Sequence, residues 1–192
     1  MFAYLPLPGG SCRLLRLLPH TNENSPIECQ IITCPLLYSK KAHPYEALSY
    51  VWGPESNQRP ISLDGDEFLV RENLHQALLH LRDEFVERVL WVDAICINQH
   101  NDKEKSHQVQ SMAKIYAKAS RVVVWLGAAS DDSDLALESL RMAAEEGKMT
   151  ARRSWDPTFN GKAILSLLER DWFQRIWVRN KQHTLVGSDK KY

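Results

Sequence analysis

Two segments of the chain share one pattern, in which a short apolar run leads directly into a polar loop. They are YEALSYVWG (Tyr45–Gly53) and the longer VLWVDAICINQHNDKEKSHQVQSMAKIYAKA (Val89–Ala119), where the loop is followed by an amphipathic helix. Each apolar run is typical of a buried strand. In open α/β sheets, ligands bind where polar groups gather at the carboxyl ends of such strands. The pattern therefore predicts both the fold class and the edge of the sheet where a site would form.

Three apolar runs alternate with helical patterns along the middle of the chain. Tyr45–Tyr50, Val89–Ile95 and Arg121–Leu126 read as strands, and amphipathic helices begin near Asn73, which is expected to cap the first of them, and near Asp102. The apolar face of the second helix is expected to hold Val109, Met112, Ala113 and Tyr116. Alternation of strands with helices implies right-handed crossovers and parallel pairing. We expect an α/β fold with a parallel sheet flanked by helices.

Two further pairs of strand-like runs read as hairpins. Cys12–Pro19 and Ile27–Cys34 flank a polar connector and predict an N-terminal β-hairpin, and Pro60–Val70 turns at Asp64-Gly65. We divide the chain into an N-terminal hairpin segment (1–44), a main domain (45–178) and a loose tail (179–192).

The remaining C-terminal pattern is mainly helical. Asp131–Glu146 reads as a helix that Gly147 ends, and Ala163–Glu169 reads as another. The apolar block Trp172–Val178 has no assigned state.

Composition excludes several classes of protein. Lys plus Arg and Asp plus Glu both number 24 in the 192 residues, so no net charge draws the chain to nucleic acid or an anionic membrane. No apolar run approaches the ~20 residues of a membrane helix, and the N-terminus lacks a signal-peptide pattern. We expect a cytoplasmic protein. The four cysteines lack metal-binding spacing, so we expect neither a metal site nor a disulfide framework.

Polar residues after the first two strands form the candidate pocket. Ser49 would orient a ligand hydroxyl or phosphate, and Trp52 would either stack on a base or pack in the core. Asp93 would serve a ligand or, equally well, accept backbone N–H groups. Asp102 is expected to cap the following helix. The pocket residues are Ser49, Trp52, Gly53, Asp93, Asn98 and Gln99.

Cys96 is the one nucleophile candidate beside this pocket. A catalytic cysteine needs a base or a positive neighbour to form its thiolate, and the seven histidines are scattered through the sequence. Phosphate-loop, zinc-protease and serine-hydrolase motifs are all missing. Catalytic residues therefore stay unassigned.

Several motifs together resemble the fungal heterokaryon incompatibility (HET) domain. They are YEALSYVWG, NLHQALLHLR, LWVDAICINQHNDKEKSHQVQSMAKIYAKA, VVVWLG and RDWFQRIWV, in the order of the family. The resemblance implies a TIR-like (flavodoxin-like) fold and a role in non-self recognition and regulated, programmed cell death. It also implies other incompatibility proteins, or a second copy, as partners. No cofactor is required, but NAD⁺ is implied as a substrate or ligand, because some TIR domains cleave NAD⁺ with a glutamate.

The last motif departs from the family pattern. RIWV is followed by Arg179, Asn180 and Lys181, whereas the family usually continues with Gln-Glu. If that glutamate is catalytic, a lysine cannot replace it, because its charge has the wrong sign to stabilise a developing cation. We expect an inactive interaction module, as a short or truncated member, and keep a TIR-like NAD⁺ glycohydrolase as the alternative.

Overall fold

The computed structural model describes residues 2–22, 24–36, 44–130, 133–146 and 161–174. The chain divides into two compact units, with the boundary between Gly127 and Ala128.

The first unit holds a seven-stranded sheet in the part of the chain that is described. Its strands are β1 (Ser11–Leu17), β2 (Glu28–Pro35), β3 (Glu46–Ser49), β4 (Gln58–Leu63), β5 (Asp66–Arg71), β6 (Arg88–Trp91) and β7 (Arg121–Val124). Its helices are α1 (Glu72–Leu81), α2 (Asp93–Cys96) and α3 (Asp102–Lys118). The strand order across the sheet is β5-β4-β2-β1-β6-β3-β7.

The three predicted central strands are neighbours and run parallel. β3 pairs with β6 on one side and with β7 on the other, and both pairings are parallel. This confirms the α/β class and the parallel arrangement of these strands. Their carboxyl ends therefore meet at one edge of the sheet.

The sheet as a whole is mixed, so the prediction of a parallel sheet is confirmed only in part. Outside the three central strands, β2 pairs parallel with β4, and the other pairings are antiparallel. β1 pairs antiparallel with β2 and with β6, which inserts the N-terminal hairpin into the same sheet. The physical reason lies in β1, where six of the seven residues are buried. A strand that is apolar along most of its length needs a neighbour on each side and cover on both faces.

Both predicted hairpins are confirmed. β1 and β2 are antiparallel, and β4 and β5 are antiparallel around Asp64 and Gly65. Asp64 and Gly65 both have positive φ, at 52° and 86°. Two consecutive residues with positive φ form the type I′ turn that matches strand twist, and Asp-Gly is a favoured sequence for it.

The ends of three elements differ from the prediction. The strand that was expected over Val89–Ile95 ends at Trp91, and Asp93 begins α2. α1 begins at Glu72, so Asn73 does not cap it. The residue that caps α3 is Asn101, not Asp102, since the Asn101 side chain accepts a hydrogen bond from the N–H of Glu104.

The buried face of α3 also differs from the prediction. Val109, expected on the apolar face, is 51% exposed, whereas Gln108 and Ile115 are buried. Gln108 is buried because its side-chain amide donates to the backbone carbonyl of Ser11. A polar residue whose side-chain nitrogen is hydrogen-bonded therefore takes a buried place that hydrophobicity alone assigns to its neighbour, although its Oε1 has no partner among the described residues.

The second unit contains α4 (Ser133–Glu146) and α5 (Gly161–Leu168) in its described residues. These helices match the predicted ones. Gly147, residues 175–178 of the apolar block and the predicted tail 179–192 lie outside the described residues. None of the helices described in either unit is long and apolar enough to cross a bilayer.

Candidate functional site

The structure brings together three of the predicted pocket residues at the carboxyl ends of β3 and β6. The indole Nε1 of Trp52 donates to Oδ2 of Asp93 at 3.0 Å. The Nε2 of Gln99 donates to the backbone carbonyl of Asp93 at 2.9 Å. Trp52, Asp93 and Gln99 therefore form one hydrogen-bonded cluster, which we call the edge cluster.

Asp93 has local as well as long-range partners. Its Oδ1 accepts the N–H of Ala94 at 2.8 Å at the start of α2, while its Oδ2 receives the indole of Trp52. A carboxylate whose two oxygens both accept hydrogen bonds from fixed donors is held in one orientation. Asp93 thus joins the loop after β3 to the turn after β6.

The other predicted pocket residues lie in different surroundings. Ser49 is buried, and its backbone carbonyl accepts the N–H of Trp125 at 2.9 Å. Gly53 has a φ of 74°, which favours glycine, and its carbonyl accepts from Arg71 at 2.6 Å. Asn98 turns the chain, because its Oδ1 accepts the N–H of His100 at 3.1 Å.

A cavity of about 350 Å³ opens beside the edge cluster. Trp52 and Gln99 line it, and Ser49, Gly53, Asp93 and Asn98 do not. Its walls come from the N-terminal segment, the loop after β3, β5, the loop after α2 and the first turn of α3. Side chains that sequence reasoning missed include Tyr4, Phe68, Arg71, His100 and Lys105.

The N-terminal segment is held against this cavity by a buried arginine. Arg13 is 2% exposed and donates to both carboxylate oxygens of Glu104, at 2.5 and 3.0 Å. It also donates to the carbonyl of Leu5 at 2.7 Å and lies over the ring of Tyr4. The Tyr4 hydroxyl in turn donates to the carbonyl of Ile95 at 2.8 Å.

Glu104 extends this network into the loop after α2. Its Oε1 accepts the N–H of Asn98 at 2.9 Å as well as the guanidinium of Arg13. Burial alone would raise the pKa of Glu104, but the hydrogen bonds from Arg13 and Asn98 outweigh burial and hold that pKa below its usual value. The carboxylate stays ionised and fixes the loop that carries Gln99.

Asn73 is a further residue whose role the sequence did not indicate. Its Nδ2 donates to the carbonyl of Val51 at 2.5 Å, and its Oδ1 accepts the indole N–H of Trp125 at 2.8 Å. It therefore joins the loops after β3 and β7. An asparagine near a helix start is read first as a cap, and only the sheet order shows that both loops lie within its reach.

The environment of Cys96 argues against a nucleophile. Cys96 is fully buried, and its Sγ lies 3.4 Å from the backbone N of Val92. Burial raises the pKa of the thiol well above its ordinary value. Since the thiolate is the reactive form, this cysteine is a core residue.

We expect Asp93→Asn to lower the free energy of unfolding by about 1.5–3 kcal/mol, the range for hydrogen bonds to charged groups. An amide has one acceptor oxygen, so it cannot serve both Trp52 Nε1 and the Ala94 N–H as the carboxylate does. Urea denaturation of the purified chain measures this loss. Trp52→Phe removes the same indole donor, and the two changes should be non-additive. Additive losses would mean that the two side chains do not interact.

Fold and edge cluster together define an α/β protein with a polar site at the ends of neighbouring parallel strands. Residues 45–180 match the family model described as Heterokaryon incompatibility protein (HET), and the chain belongs to that family. Heterokaryon incompatibility protein 6, OR allele, of Neurospora crassa is 34% identical over 205 aligned residues. The alignment covers 93% of this chain but 29% of that relative. No solved structure matches the chain significantly.

Proposed function

We propose that this chain is an interaction module in fungal heterokaryon incompatibility, where it takes part in non-self recognition and cell-death signalling. Family membership and the similarity to an incompatibility protein support the biological role. The observation that carries the module hypothesis is the edge cluster, in which Trp52, Asp93 and Gln99 bond to one another. Residues engaged in this way shape a surface and are poorly available for chemistry on a bound substrate.

The TIR-like fold, the partners and the cytoplasmic location are proposed from the resemblance to the HET family. The parallel strands β6, β3 and β7 are compatible with a TIR-like core, and the antiparallel N-terminal hairpin is an addition to it. The partners we propose are other incompatibility proteins or a second copy of the chain, acting in the cytoplasm. A balanced charge of 24 cations and 24 anions gives no reason to expect nucleic acid.

Co-expression in a fungal host tests the module hypothesis. We expect the chain to co-purify with the full-length relative from Neurospora crassa and to change the severity of its incompatibility reaction. Cellular NAD⁺ should remain constant. A control variant, Lys114→Gln, changes an exposed position of α3 away from the cavity. It should associate with the relative as the parent chain does. Normal expression without association or phenotype would contradict the proposal.

The alternative function is a TIR-like NAD⁺ glycohydrolase, favoured by the presence of a cavity at the carboxyl edge of the parallel strands. Glycosidic cleavage passes through a cationic sugar that a nearby carboxylate stabilises. Asp93 already accepts two hydrogen bonds from protein groups. The family's glutamate position is Lys181, which lies outside the described residues.

We therefore predict that the purified chain releases little or no nicotinamide from NAD⁺. Chromatography of the reaction products measures this directly. The double variant Asn180→Gln/Lys181→Glu restores the expected family residues and is the informative comparison. Robust turnover by the parent that Asp93→Ala abolishes, and that changes at Lys181 leave intact, would make the protein an enzyme and overturn the module hypothesis.

A further inference from the structure

We propose that the cavity beside the edge cluster binds a small aromatic carboxylate, with one flat ring and one negative charge. This inference goes beyond the proposed function and does not depend on it, because it rests on the walls of the cavity alone. Nearly all ligand pockets combine apolar walls with a few polar groups that fix orientation. The cavity of about 350 Å³ has both features.

Aromatic side chains supply a wall for a flat ring. Tyr4 and Phe68 line the cavity edge-to-face, with ring centroids 6.4 Å apart, and Phe2 packs on both. The Tyr4 hydroxyl is bound to the carbonyl of Ile95 at 2.8 Å. The rings are thus held in place before a ligand arrives, which reduces the ordering cost of binding.

The charges that line the cavity favour an anion. Two cations, Arg71 and Lys105, line it together with a single carboxylate, Glu55. Arg71 is paired with Glu55 and lies over the ring of Trp52. Within the described residues, no ion pair or side-chain hydrogen bond engages the ammonium of Lys105. One available cation matches a singly charged carboxylate better than a phosphate monoester, which carries about −1.5 to −2 near neutral pH.

The size of the cavity limits the ligand further. A volume of about 350 Å³ lies near the lower end of the roughly 300–1,000 Å³ that ligand pockets span. One ring with a carboxylate and a hydroxyl suits that volume, whereas a dinucleotide would extend well outside it. The probe 4-hydroxybenzoate combines a flat ring of that size with one negative charge.

Isothermal titration calorimetry of the full purified chain tests the proposal. We expect 4-hydroxybenzoate to bind at least tenfold more tightly than phenol, which lacks the charge, and acetate, which lacks the ring. Lys105→Gln should weaken binding of 4-hydroxybenzoate about tenfold and reduce its salt dependence. Phe68→Leu should weaken binding to a similar extent by removing part of the aromatic wall.

Two control variants test whether binding takes place in the cavity. Lys103→Gln removes a lysine from the same turn of α3 but does not line the cavity, and it should bind as the parent does. Phe85→Leu removes a phenylalanine that is 76% exposed and lies outside the cavity, and it should also leave binding unchanged. Thermal melts establish that each variant is folded. If Phe68→Leu unfolds, the proposal is tested by Lys105→Gln, which changes only a surface residue.

Two results would overturn the proposal. The first is that the parent binds no 4-hydroxybenzoate at millimolar concentrations. The second is that binding occurs but is unchanged in Lys105→Gln, since the carboxylate would then lie elsewhere on the protein.

Discussion

Replacing Trp91 with alanine is expected to lower the free energy of unfolding by about 3–5 kcal/mol, the usual cost of removing a large aromatic side chain from a core. Trp91 is the last residue of β6 and is fully buried. Its ring packs edge-to-face on Tyr116, with centroids 5.4 Å apart, and so joins the sheet to α3. Chemical denaturation of the purified chain measures the loss.

Trp91→Phe is the matched control for this prediction. It keeps an aromatic ring against Tyr116 and removes an indole N–H that has no hydrogen-bond partner among the described residues. We expect it to cost clearly less than Trp91→Ala, because an unpaired buried donor disappears along with part of the ring. A loss for Trp91→Ala within ~0.5 kcal/mol of the parent, as at surface positions, would contradict the packing described here.

Sequence periodicity was sufficient for the central strands and helices. β3, β6 and β7 are apolar runs separated by amphipathic segments, and this pattern restricts them to parallel neighbours. The Asp64-Gly65 turn was equally predictable, because few dipeptides adopt two positive φ angles without strain. In both cases the structure depends on residues that are close together in the sequence.

Sheet order and element ends depend on longer-range contacts, and there the sequence was insufficient. The sequence pattern predicts β1 only as part of a separate hairpin, whereas β1 pairs with β6 in the middle of the sheet. The apolar pattern after Trp91 continues through Ile95 and Cys96, but these residues are buried in the short helix α2. Hydrophobic runs this short do not distinguish a strand from a helix turn.

Only part of the candidate site was predictable, because the rest of it also depends on long-range contacts. Trp52, Asp93 and Gln99 follow two strands that end at one edge, and the structure joins them. The cavity also needs Tyr4, Phe68 and Lys105, which come from three distant segments. No local pattern links these residues, and their proximity results from the central position of β1, which brings the N-terminus to the start of α3.

Arg13 holds the N-terminal segment and the start of α3 together through its bonds to Leu5 and Glu104. Arg13→Ala is expected to lower the free energy of unfolding by about 3–5 kcal/mol, the cost of breaking a buried ion pair. The side chains of Arg13 and Glu104 are 3% and 11% exposed. Removing the guanidinium leaves the Glu104 carboxylate buried without its cation and frees the carbonyl of Leu5. Urea denaturation provides the measurement.

Arg16 on the same strand provides the matched control. Residues 13 and 16 lie on opposite faces of β1, and Arg16 pairs at 3.5 Å with Glu87, whose side chain is 51% exposed. Exposed pairs contribute little, so Arg16→Ala should cost no more than about 1 kcal/mol. The double variant Arg13→Ala/Glu104→Gln should recover part of the loss, because it removes the orphaned charge as well as its partner. Equal losses for Arg13→Ala and Arg16→Ala, with no recovery in the double variant, would show that the buried pair does not hold the N-terminal segment and the loop after α2 together.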